Sequence, residues 1–255
     1  MDKNPGIIFV SQRLMIETNQ KEVALDHSRL NHTRLNSLTS QQAEEEVFTL
    51  NPENNDSMLK QPPFEPMKLA KLKYLTWKTV FLIAITTFKR CSDLQAMRIG
   101  EGSVNIQEKG VTFYRHGLSK QDRQGHQSKN IFIPTFKDNK YLDPKRALYW
   151  YLKRTDDLRK ETNELSLFLT TIKPHKPVSA QTISNWIVSV IKKAYKSKEL
   201  LEPKVRGHST RSIGPSWALF KGAKLVDVLN SADWSRASTF IKFYLKEVSL
   251  DCLKC

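Results

Sequence analysis

A continuous apolar run is the strongest structural signal in the chain. The segment YLTWKTVFLIAITTFK, from Tyr74 to Lys89, has the length of a helix and predicts one that is buried. The residues that follow, RCSDLQAM, predict a second helix or a turn. Further along, apolar residues recur at helical spacing in several segments, some of which begin with a Ser or Asp suited to capping a helix. These segments are Asp143 to Arg159, Ser179 to Lys196, Ser209 to Lys221, Lys224 to Ser231 and Ser235 to Val248.

Short strand-like segments stand between the first helices and the later ones. Ser103 to Glu108 and Val111 to Arg115 predict two strands joined by a turn at Lys109 and Gly110. Asn130 to Pro134 predicts a third strand after the polar loop SKQDRQGHQSK. The predicted fold class is therefore mainly α, of the α+β type, with one small three-stranded antiparallel sheet.

The amino-terminal part of the chain has a different composition. From Thr33 to Pro66 it is rich in Asn, Gln, Ser, Glu and Pro, so it cannot bury a continuous apolar face and predicts a linker. Residues 6–30 could hold a short strand and a helix. We place a poorly structured extension and linker at residues 1–65, one domain at residues 66–248 and a short tail at residues 249–255.

The charge of the chain favours a polyanionic partner. Lys and Arg number 41 against 26 Asp and Glu, which gives a formal net charge of +15. Nucleic acid is the first expectation, ahead of an acidic membrane surface, and a basic solvated surface without a specific partner is the alternative. No apolar run is long enough for a secretory signal or a membrane span, so an intracellular protein is expected.

The three cysteines fit a reducing compartment, because they are too few and too poorly spaced for a disulfide framework. Cys252 and Cys255 form a CxxC pair at the carboxyl terminus. Since no second Cys or His pair lies nearby, two ordinary thiols are expected rather than a metal site.

One short motif suits phosphate chemistry. His208 and Arg211 form an HxxR at a predicted helix start, preceded by Arg206 and Gly207. Residues three apart share a face of a helix, so the imidazole and the guanidinium could converge on one phosphate. A capping histidine beside a surface arginine is the alternative interpretation.

Six candidate residues follow one another in order along the chain. They lie in TTFKRCSDL, YRHGLSKQ, RGHSTR, SADWSRAS and STFIKFYLKEV. They are Arg90, Lys120, His208, Arg211, Trp234 and Tyr244. The ordered set resembles the catalytic domain of the tyrosine recombinase, or phage integrase, family, which has an arginine, a hairpin lysine, an HxxR, a His or Trp and a nucleophilic tyrosine in this order.

Within this family, the sequence is most similar to recombinases of eukaryotic DIRS-like mobile elements. The segments KLKYLTWKTVFLIAITTFKRCSDL and SWALFKGAKLVDVLNSADWSRASTFIKFYL resemble theirs almost throughout. Two departures stand out: Thr87 or Phe88 occupies the place where the family often has Gly, and the Trp234 to Tyr244 spacing is about one residue longer than is common.

The resemblance implies a role for each residue. Arg90 and Arg211 would hold the phosphate oxygens, because a guanidinium offers two charged donors in a fixed plane. Tyr244 would attack the phosphorus, and His208 would donate to the same oxygens or help remove the phenolic proton. Trp234 would pack beside the phosphate with its indole N–H available as a donor.

Three of these assignments have rivals. Lys120 would protonate the departing 5′-oxygen, but Lys129 lies on the other side of the same loop and could reach the same place. Arg90 could instead pair with Asp93 at a helix end. Trp234 could be a core residue.

The resemblance also implies partners. Double-stranded DNA is expected, contacted by Lys89, Lys129 and Arg206, together with self-association into a dimer or tetramer on DNA and a nuclear location. Neither a metal ion nor another cofactor is expected, since the covalent intermediate conserves the phosphodiester energy.

Residues 1–65 are short for the family's DNA-clamping domain, so a truncated or domesticated DNA-binding remnant without catalysis is the alternative function. A relaxing enzyme of the type IB topoisomerase kind and an RNA-binding module are further rivals.

Overall fold

The computed structural model describes residues 57–115, 130–162, 164–196 and 205–245. After the segment at residues 57–71 come helix α1 (Leu72–Thr87) and the short helix α2 (Cys91–Gln95). Strands β1 (Val104–Gln107), β2 (Gly110–Phe113) and β3 (Ile131–Pro134) follow. The remaining helices are α3 (Pro144–Thr162), α4 (Ala180–Lys196), α5 (Ser209–Phe220), α6 (Leu225–Ser231) and α7 (Ala237–Phe243).

Helix α1 is the centre of the described core. The apolar run that predicts it has no polar face, and the structure packs it against α3, α4, α5 and β3. Leu75, Val80, Leu82 and Ile83 have no exposed surface. A helix that is apolar on all sides is stable only when neighbours surround it, so the other elements are arranged around α1.

The three strands form the predicted antiparallel sheet in the order β1-β2-β3. The turn between β1 and β2 differs by one residue from the prediction, because Gly110 pairs with Gln107 and so belongs to β2. A Cβ on Gly110 would lie 2.3 Å from the carbonyl oxygen of Ile133 and 2.5 Å from the ring of Phe132. Gly110 therefore serves close strand packing rather than the turn.

The segment that precedes α1 packs into the same core. Leu59 and Phe64 are fully buried, ahead of the expected domain start at residue 66. The Nζ of Lys78 donates to the carbonyl oxygen of Leu59 at 2.7 Å and to the carboxylate of Glu65 at 2.6 Å. Arg146 on α3 also donates to Glu65, at 3.0 Å. These contacts attach residues assigned to the linker to the folded unit.

A second, smaller apolar cluster lies under the carboxyl-terminal helices. Phe88, Val228, Trp234 and Phe240 are buried in it together. Helix α7 ends at Phe243, five residues before the predicted end at Val248, which lies outside the described residues. The predicted fold class, mainly helical with a three-stranded antiparallel sheet, is confirmed. Within the described ranges, no helix has the length and apolar character needed to cross a bilayer.

Candidate active site

Two sharp corners of the backbone form the base of the site. Helix α1 ends at Phe88, whose φ of 56° is left-handed, and the chain after α6 turns at Asp233, whose φ is 54°. Such values are uncommon for residues other than glycine, although Asp adopts them more readily than most. Phe88 is, with Thr87, one of the two candidates for the position where the recombinase family often has Gly. The chain keeps the conformation without the glycine, because the Phe88 ring is buried in the second cluster.

Arg211 joins these two corners. Its guanidinium donates to the carbonyl oxygen of Phe88 at 2.5 Å and to that of Ala232 at 2.7 Å. The side chain is 1% exposed, and its Nε has no hydrogen-bond partner among the described residues. Burial, and then the nearby charge of Arg90, lower the pKa of Arg211 to about 10, so the group is charged at neutral pH.

Tyr244, Trp234 and Arg211 lie in contact. The ring centroid of Tyr244 is 4.7 Å from that of Trp234, and the guanidinium carbon of Arg211 lies 4.7 Å from the Trp234 ring and 5.8 Å from the Tyr244 ring. Tyr244 directly follows α7, and its backbone N–H donates to Phe240 at 2.8 Å. The indole Nε1 of Trp234 is buried and has no partner in the described structure. Arg211 and Trp234 thus each bring to the phenol ring a buried donor that has no partner among the described residues, and such donors usually meet a water, an ion or a ligand.

Arg90 stands at the amino-terminal end of α2 and is half-buried. The carboxylate of Asp93 accepts the backbone N–H of Arg90 at 3.0 Å. No carboxylate of the described residues lies within ion-pair distance of the Arg90 guanidinium. The alternative role of Arg90, an ion pair with the Asp93 side chain, is therefore not seen in this structure. The charge of Arg90 instead helps to lower the pKa of Arg211, after the larger effect of burial.

His208 lies one turn before Arg211, at the start of α5, but it is exposed while Arg211 is buried. Gly207 allows the backbone before α5 to pack closely against α4. A Cβ at this position would lie 2.0 Å from the Oγ of Ser184 and 2.8 Å from its Cα on α4. The thiol of Cys91 donates to the carbonyl oxygen of Gly207 at 3.9 Å. The HxxR segment is thereby held between α4 and α2.

Lys89 differs from its expected role as a DNA contact. It is 4% exposed and forms an ion pair with Asp233. Burial lowers the pKa of its amine, and the Asp233 carboxylate opposes that effect. In this structure the Lys89 amine is paired with Asp233 rather than exposed to solvent, so the expected DNA contact would require that ion pair to open. Arg206, the other expected contact that the structure describes, is exposed.

Arg115 was not predicted as a site residue. From the end of the β2 segment its guanidinium contacts Asp93 at 3.0 Å and Asp233 at 4.0 Å. Its backbone N–H donates to the side chain of Asn130 at 3.3 Å. Residues 115 and 130 border the segment that contains both lysine candidates, Lys120 and Lys129, which lie outside the described residues.

The charges of the site do not cancel. Lys89, Arg90, Arg115 and Arg211 carry four positive charges, and Asp93 and Asp233 carry two negative ones. The excess favours an anionic ligand. No group of three or more potential metal-binding side chains occurs in the residues that the structure describes.

Of the comparisons with known proteins, the one with solved structures bears on the fold. Solved structures of integrases are among the structural neighbours, and the described fold, mainly helical with a three-stranded antiparallel sheet, matches theirs. The integrase of transposon Tn1549, solved in complex with transposon right end DNA, is 17% identical with a TM-score of 0.51, over 81% of this chain and 64% of that one. A lambda integrase tetramer bound to a Holliday junction is 16% identical with a TM-score of 0.44, over 77% and 47%.

This chain spans about half to two thirds of the length of those proteins. No family model matches it, and neither does any curated protein.

Proposed function

We propose that the protein is a DNA recombinase or integrase that cleaves and rejoins DNA through a covalent bond to Tyr244. The observation that carries this proposal is the contact of Tyr244 with Trp234 and Arg211, each of which has a buried donor with no partner in the described part of the chain. In DNA, the anion that the phenol of Tyr244 could attack is a phosphodiester bound beside Arg211 and Trp234. The excess of positive charge around Arg211 would stabilise the charge that develops on the phosphate.

The reaction is a transfer of the phosphoryl group between two oxygens. The phenolic oxygen of Tyr244 attacks the phosphorus, the bond from phosphorus to the 5′-oxygen breaks, and a 3′-phosphotyrosyl bond forms. Arg90 and Arg211 hold the non-bridging oxygens of the five-coordinate transition state. Their charge also stabilises the oxygen of Tyr244 as it attacks, and we assign acceptance of the phenolic proton to His208, which is exposed at the start of α5.

The departing 5′-oxygen needs a proton, and we assign that role to Lys120, with Lys129 as the alternative. In the reverse step, a 5′-hydroxyl of the same or another DNA strand attacks the phosphotyrosine and releases Tyr244. Bond energy is conserved in both steps, so the cycle as proposed uses no cofactor.

The sequence resemblance supports the wider setting of the proposal. We assign the chain to a mobile element of the DIRS-like kind, acting on double-stranded DNA in the nucleus as a dimer or tetramer. The net charge of +15 and the exposed Arg206 fit a DNA partner.

A nicked suicide substrate tests the chemistry. The substrates are labelled duplexes of randomised sequence, each with a nick a few nucleotides past the potential cleavage point. After cleavage, the short oligonucleotide that carries the 5′-hydroxyl diffuses away. Rejoining is then prevented, and the covalent protein–DNA intermediate accumulates. A DNA adduct that survives denaturation and is lost in Tyr244→Phe is the expected result. Salt-sensitive DNA binding with no adduct on any duplex would instead identify a non-catalytic DNA-binding remnant.

A further inference from the structure

A buried ion pair joins the two corners of the candidate active site a second time. Lys89 follows the corner at Phe88, and Asp233 forms the other corner; their side chains are 4% and 5% exposed and pair directly. Each residue immediately precedes a predicted catalytic residue, Arg90 in one case and Trp234 in the other.

Stability alone does not account for such a pair. Removing two charges from water carries a large free-energy cost, and two apolar side chains of similar volume are often as stable or more so. The second apolar cluster already surrounds this region. A charged pair differs from an apolar contact because it holds two particular atoms at a defined distance and in a defined direction.

The pair also complements the contacts of Arg211. That guanidinium links the Phe88 and Ala232 carbonyl groups from α5, while Lys89 and Asp233 link the same two segments directly. Two separate links between two segments restrict rotation as well as separation. Arg115, 4.0 Å from Asp233, extends the network toward Asp93 and the start of α2.

We infer that Lys89 and Asp233 are positioning residues that set the placement of Arg90 and Trp234 around the phosphate. The inference rests on the proposed function, since it concerns the rate of that DNA cleavage. Neither side chain touches the DNA; both act through the backbone of the residue that follows. A displacement of about 1 Å in such a group can lower a rate about 100-fold.

Neutral variants separate positioning from stability. Lys89→Met and Asp233→Asn each leave one buried charge without its partner, so both should lower the melting temperature and the rate of adduct formation. The double variant Lys89→Met/Asp233→Asn removes both charges, and Asn tolerates the left-handed corner. We expect its melting temperature to return close to that of the unaltered protein, while its cleavage rate at saturating DNA stays about 100-fold lower.

An exposed pair provides the matched control. Lys137 and Glu108 are joined at 2.6 Å with side chains 64% and 81% exposed. Lys137→Met/Glu108→Gln should change neither the rate nor the melting temperature, because exposed pairs contribute little. If Lys89→Met/Asp233→Asn does not fold, Lys89→Met/Asp233→Gly repeats the measurement with an unstrained corner.

The outcomes are distinct. A double variant that regains the full rate together with the melting temperature overturns the inference, because the pair then acts on stability alone. Unchanged rates in the single variants overturn it as well. If the unaltered protein binds DNA but forms no Tyr244-dependent adduct, the proposed function fails and this inference fails with it.

Discussion

The guanidinium of Arg211 lies over the indole ring of Trp234, 4.7 Å from its centroid, and donates to backbone carbonyl groups at both corners of the site. Lysine cannot replace it, since a single ammonium cannot span both carbonyl groups and also face a phosphate. We therefore expect Arg211→Lys to lower the single-turnover rate of adduct formation by about 10²–10³-fold. The melting temperature should fall too, because a buried hydrogen-bonded charge is replaced by one with fewer partners.

Arg98→Lys is the matched control for that measurement. Arg98 is 48% exposed and pairs with Glu164 at 3.5 Å, so the same exchange there should leave the rate and the stability unchanged. Equal rates for Arg211→Lys and the unaltered protein would remove Arg211 from the proposed reaction.

Salt dependence distinguishes exposed cations from buried ones. Each phosphate contact contributes about 0.9 to the slope of log affinity against log salt concentration. Arg206 is exposed, and Arg206→Ala should reduce that slope by about one unit. Lys89→Met/Asp233→Asn should leave it unchanged, since neither residue is on the surface. Fluorescence anisotropy with a labelled duplex at several salt concentrations measures both, and a slope that Arg206→Ala does not alter would exclude a phosphate contact there.

Gly207 holds the HxxR segment close to α4, so a side chain there should displace His208. The Cβ of Gly207→Ala would lie 2.0 Å from the Oγ of Ser184 and 2.8 Å from its Cα, and the backbone atom cannot rotate away. We expect a loss of about 1–3 kcal/mol in the free energy of unfolding, with a lower cleavage rate. Chemical denaturation and the adduct assay measure the two effects.

Gly100 provides the comparison for this substitution. The nearest atom to its added Cβ is the tip of the Leu165 side chain at 3.2 Å, which can move. Gly100→Ala should therefore cost much less, and an equal cost at both positions would contradict the packing argument.

Lys78 predicts a specific pH dependence of stability. Its burial lowers the pKa of the amine to about 8 from an ordinary 10.5. Between these values the unfolded chain retains a proton that the folded chain has released, so the free energy of unfolding rises with pH across this window. Lys78→Met removes this increment. Denaturation curves from about pH 7 to 10 should show the unaltered protein gaining stability relative to the variant, whereas parallel curves would refute the prediction.

Local patterns in the sequence predict most of the fold. The apolar run gives α1 its place at the centre, and alternation of apolar residues predicts the strands to within about two residues. Helix periodicity acts over one or two turns, so residues near in sequence are sufficient to express it. The turn at Gly110 was misplaced because a turn glycine and a close-packed strand glycine look alike in sequence, and only the Phe132 ring across the sheet distinguishes them.

By itself, the sequence determined the elements, the excess of positive charge and the order of the candidate residues, including Arg90, Arg211 and Tyr244. Only the tertiary structure decided which side chains are buried and what they contact. Lys89 and Asp233 are 144 positions apart, and no local pattern links them. Arg115 reaches the site only because β2 ends beside α2. Such contacts depend on packing between distant segments, where the energy of a charge is set by its surroundings rather than by its neighbours in the chain.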